Sequence, residues 1–188
     1  TQEFTRASAI AKVELVTLQP LHDDIHRFRA ALDRHGSGTA AFMNSASPGL
    51  ITAFQPNQFY PDHEAYLADL VEAMRPEYEA IVAAGFQLQL DCPDLAMSRH
   101  TGYQDLSEAE FLRTIAANVE ALNAATANIA PEAMRMHVCW GNYEGPHDFD
   151  IPLERAVPTG NVRVIRGNAD SLGSLSDDRA TFRAIRPD

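Results

Sequence analysis

Two long amphipathic segments, each followed by a short alternating run, constrain this chain more than any other feature. Residues 62–84 place Leu67, Leu70, Val71, Met74, Tyr78, Ile81 and Val82 along one helical stripe, and Gly85 ends it. Asp62 is placed to cap this helix and Pro76 to kink it. "FQLQLD" (86–91) then alternates like a half-buried strand. Ser107 and Glu110 form a capping-box pair ahead of Phe111, Ile115, Val119 and Leu122, and "MRMHVCW" (134–140) reads as the next strand. Upstream, "IAKVELVTL" (10–18) reads as a strand and "GTAAFMN" (38–44) as a second, short one. The helix between them carries Leu21, Ile25, Phe28 and Leu32, and Gly36 stops it. Strands separated by whole helices pair in parallel through crossovers. The expected class is α/β, with four parallel strands and a fifth if "NVRVI" (161–165) is extended.

Length and charge narrow the partners. The chain has 188 residues, enough for one domain with a real core. Its formal net charge is −11, which argues against nucleic acid and anionic membranes, since both need a basic face. No apolar run is long enough to span a bilayer, and "TQEFTRASAI" lacks the pattern of a signal peptide. The expectation is a soluble, acidic, cytoplasmic protein. Cys92 and Cys139 are too few for a disulfide framework, so each is a candidate ligand or a packed thiol. The acidic excess lies in residues 1–158. Residues 159–188 are nearly balanced, rich in turn formers and poor in apolar periodicity, and read as a divergent tail.

Polar clusters recur at one kind of place. "NSASPG" follows the second strand, "DCPD" (91–94) the third, and "HVCWGN" (137–142) the fourth. In parallel α/β folds, ligands bind at the carboxyl ends of the strands. His137 and Cys139 stand two apart, so both point to one side of an extended strand. Imidazole with thiolate suits Zn²⁺, although a buried cysteine beside a hydrogen-bonded histidine has the same spacing. Asp91 and Asp94 can hold a substrate amine or cap the turn at Pro93. Ser47 adds a hydroxyl to this candidate substrate-binding set, in a loop with no helix clearly poised behind it. Cys92, Glu144 and His147 are possible additional metal donors. His22, His26 and His35 read as solvated, and His100 as a loop residue that reaches a site or stays exposed. The chain has no P-loop, no G-x-G-x-x-G and no G-x-S-x-G elbow.

The segment 42–100, with "SPG" and "QLDCPDLA", together with "MRMHVCWGNYEGPHDFDIPLE", resembles the catalytic domain of cobalamin-independent methionine synthases. It is most similar to the short, single-domain relatives of epoxyalkane:coenzyme M transferase type. The likeness covers roughly residues 8–157. It implies a (β/α)8 barrel and alkyl transfer from a small-molecule donor to a thiol held on zinc. His137 and Cys139 match the first two zinc ligands, and Asp91 matches an aspartate that holds the thiol substrate's amino group. The family's glutamate ligand and second cysteine have no counterpart, and residues 159–188 contain neither Cys nor Glu. A full barrel takes roughly 250 residues. The resemblance therefore implies a partial barrel over residues 1–158, whose open edges a homo-oligomer would cover. Two other functions stand beside it: a catalytically incomplete fragment that folds as a homodimer, and a hydrolase on the same scaffold using a strand-end Cys, Ser or His.

Overall fold

The computed structural model describes residues 7–36, 38, 40–141, 148, 150 and 151. Helix α1 (Gln19–His35) precedes strand β1 (Phe42–Ala46) and the short helix α2 (Pro48–Phe54). Helix α3 (His63–Ala83) leads to strand β2 (Gln87–Asp91), a one-turn 3-10 helix (Pro93–Leu95) and α4 (Ser98–Thr101). Helix α5 (Glu108–Ala125) and a second 3-10 turn lead to strand β3 (Met134–His137). The three strands form one parallel sheet in the order β1-β2-β3, so the fold is α/β. Helices α3 and α5 cross over between successive strands and pack against each other. No described helix is long and apolar enough to cross a membrane.

The sequence explains the helices. Asp62 accepts from the Ala65 amide at the start of α3, and the Ser107–Glu110 box caps α5 in both directions. Helix α3 continues through Pro76 from His63 to Ala83. Apolar stripes of α3 and α5 close over Leu88 and Leu90 of β2, with Tyr78, Ile81, Phe111 and Ile115 fully buried. The Tyr78 hydroxyl donates to the Ala46 carbonyl at 2.6 Å, tying α3 to the end of β1. Helix α1 buries Ile25 and stacks Phe28 on Phe86, ring centroids 5.1 Å apart.

The strands differ from the sequence reading in extent. Residues 10–18 form no strand. Ala9 makes a single bridge with Asn57, and Ile10 and Val16 lie exposed. A lone alternating segment has nothing to gain from extension without a partner edge, and among the described residues no strand pairs with it. Strand β1 begins at Phe42 rather than residue 38, because Gly38 takes a positive φ of 69° that no pleated ladder accommodates. Strand β3 ends at His137 rather than residue 140. Its neighbour β2 ends at Asp91, where Cys92 and Pro93 turn into the 3-10 helix and Pro93 has no N–H to offer. The segment after β1, expected as a loop, contains α2, and the loop after Cys92 contains α4. The described residues thus hold three sheet strands, not four. "NVRVI" and the 159–188 tail lie outside them.

Candidate strand-end functional site

The register aligns the strand ends. Ala46 pairs with Asp91, and Asp91 with His137, so one residue from each of the three expected clusters lies in one row across the sheet. Parallel pairing puts the side chains of each row on the same face. Met43, Ser45, Leu88, Leu90, Met134 and Met136 form the face under the helices, buried or packed on the core. The alternate positions form the other face, with Asn44 exposed and Gln89, Asp91 and Arg135 half-buried. On it Arg135 donates from Nε to Gln89 Oε1 at 2.7 Å, and its guanidinium lies 3.7 Å from the Phe42 ring centroid. At the carboxyl end of this polar face, His137 Nε2 lies 3.9 Å from Asp91 Oδ1. That is too long for a direct hydrogen bond. The His137 side chain is 49% exposed and that of Asp91 36%, so both are open to a ligand.

Cys139 lies beyond the end of β3 and is half-buried. Its carbonyl accepts from the Met97 amide at 3.1 Å, which ties this loop to the start of α4. The strand reading placed His137 and Cys139 on one side of an extended chain. The structure ends the strand between them. Cys92 is fully buried. Burial and then the neighbouring Asp94 charge push its thiol well above its ordinary value, so it stays protonated near neutral pH and is a poor ligand in this state. Glu144 and His147 lie outside the described residues. Among the described residues, no group of three His, Cys, Asp or Glu side chains could hold a metal ion.

Ser47 and Asp94 lie on the helix side, away from the polar face. Ser47 caps α2, accepting from the Leu50 amide at 3.0 Å and donating to Asp94 Oδ1 at 2.8 Å. Asn118 Nδ2 donates to Asp94 Oδ2 at 3.0 Å, and Asn118 Oδ1 lies 2.9 Å from His63 Nε2. Burial pushes the Asp94 carboxyl up to about 6, against the hydrogen bonds from Ser47 and Asn118 that lower it. Gly49 lets this cluster close, since a Cβ there would sit 2.1 Å from Asp94 Oδ2. His100, expected in a loop, is buried in α4 and bonded to Asp150. His22, His26 and His35 are exposed, as expected.

Sequence reasoning singled out neither Asn118 nor Gln89 nor Arg135. A signal existed for each. Asn118 lies on the apolar stripe between Ile115 and Leu122, and the two glutamines of "FQLQLD" share a face with Asp91. Comparison with protein-family models, curated proteins and solved structures finds no match.

Proposed function

We propose that the carboxyl-end corner of the polar sheet face is part of a zinc-dependent site for alkyl transfer to a thiol. The scaffold would be of (β/α)8 type, as in the cobalamin-independent methionine synthases that the sequence resembles. The observation that carries this reading is the row joining Asp91 to His137. It sets an anionic side chain and an imidazole side by side, accessible, at the ligand-binding end of parallel strands. His137 and Cys139 would hold the metal, and their donor chemistry suits a borderline-soft ion. They supply two donors, so the remaining ones would come from outside the described residues, where Glu144 and His147 stand, or from a second chain. When bound, the metal would keep the substrate sulfur as thiolate at neutral pH.

The chain's own residues do the rest. Asp91, beside His137 and half-exposed, would accept the amino group of a thiol substrate. Gln89 holds Arg135 across the sheet floor, leaving guanidinium N–H groups for an anionic group of the substrate. Cys92 and Ser47 have structural uses, which weighs against the hydrolase reading. The Ser47 hydroxyl is engaged both as donor and as acceptor.

A second reading, a homodimer without this activity, is favoured by the exposed apolar side chains Ile10, Val16 and Phe42, the last at the start of β1. Alkylation of a small thiol by protein reconstituted with zinc tests the first reading. Activity lost with Cys139→Ala and His137→Ala supports it, and a dimer with neither zinc nor turnover replaces it with the second.

A further inference from the structure

A cleft of about 290 Å³ opens between α2, α3 and α4, and none of its lining residues belongs to a strand. The volume is near the small end of ligand pockets, about 300–1,000 Å³. His63 stands in its wall, and the hydrogen-bond chain behind it fixes what the ring can offer. An ionised Asp94 only accepts, so Asn118 turns its NH2 to Asp94 and its carbonyl oxygen to His63. His63 must therefore donate from Nε2. In the neutral ring Nδ1 is then left as an acceptor, with no hydrogen-bond partner among the described residues.

The rest of the wall has the same polarity. Thr52 donates its proton to the Gly49 carbonyl at 2.8 Å, and Tyr66 to the Gln55 carbonyl at 3.2 Å. Ser98 donates to the Asp94 carbonyl. These hydroxyls keep only lone pairs for a ligand. Two groups differ: Asn57 Nδ2, which donates one of its two hydrogens to the Tyr60 carbonyl at 2.8 Å, and the Tyr103 hydroxyl, which has no hydrogen-bond partner among the described residues and whose ring adds an aromatic surface. Two helix ends also border the cleft. Thr52 and Ala53 lie in the last turn of α2, and Thr101 and Gly102 at the end of α4. Terminal carbonyls of a helix lack intrahelical partners, so those at these two ends can accept from a donor. Arg99, next to Ser98, donates to the Tyr103 carbonyl, and its guanidinium lies 5.7 Å from the Phe111 ring centroid.

We infer that this cleft binds a small nitrogen donor of the amidine or ammonium type, with His63 Nδ1 as its principal acceptor. A ligand of that class meets lone pairs, carbonyl oxygens and an aromatic face, whereas an anion of equal size meets mainly acceptors.

The test titrates benzamidine, and separately benzoate, into the 188-residue chain while nitrogen-15 spectra follow the His63 ring. The expected result is saturable benzamidine binding that shifts Nδ1, no comparable effect of benzoate, and an Nε2-protonated neutral ring before addition. His63→Phe should weaken benzamidine roughly tenfold, the value of one hydrogen bond of about 1.4 kcal/mol. The tautomer needs no variant, so it remains a test if the substitution disturbs folding. A ring protonated on Nδ1 before addition, benzoate binding as well as benzamidine, or benzamidine leaving His63 unmoved would each overturn the inference.

Discussion

Asp94 shows how one buried carboxyl can set the conditions under which the whole fold is stable. Its folded value near 6 lies above the ordinary 3.8, so the folded chain holds this proton more tightly than the unfolded chain does. The resulting stabilisation is full below the unfolded value and is lost as pH rises through the folded one. Over that window the loss is at most about 3 kcal/mol. Urea midpoints of wild type and Asp94→Asn should therefore converge or cross between about pH 4 and 7, and a pH-independent difference would contradict this. Gly49→Ala is a second test. Its Cβ would meet Asp94 and Asn118, both buried and hydrogen-bonded, and should cost about 1–3 kcal/mol in chemical denaturation. Single residues of this kind were only partly legible in the sequence. The string "SPG" drew notice as a loop, yet the need for glycine arises from Asp94 and Asn118, 45 and 69 positions further along the chain.

Elements were more legible where local signals agree. Helices α3 and α5 each combine a side-chain cap with an apolar stripe; α3, which also has a glycine stop, falls within a residue of its expected bounds, and α5 begins directly after its expected cap. Ser107→Ala should remove half of the α5 box and cost about 1 kcal/mol, seen as a lower thermal midpoint with the α/β circular dichroism retained. An unchanged midpoint would mean that packing of Phe111 and Ile115 alone fixes α5. Strands were less legible because a strand depends on its neighbour. The 10–18 segment alternates as well as β2 does, but only β2 finds partners on both sides. Helix α2 was hidden for another reason. Its seven residues are too short for a periodic stripe, and its cap, Ser47, also serves Asp94.

The molecule as a whole puts its apolar sheet face under α3 and α5 and leaves the opposite face polar. The parallel order and the positions of the strand-end clusters were legible in the alternation of strand and helix. Which face Asp91 and His137 share was not, because that depends on register, and a one-residue slip would reverse it. The row of Asp91 and His137 is the centre of the functional account. The most direct test is the metal content and molar mass of one sample purified without chelator, by elemental analysis coupled to light scattering on a sizing column. The account predicts stoichiometric zinc that is lost in Cys139→Ala and His137→Ala. A well-folded protein without zinc, even after incubation with the ion, would contradict it.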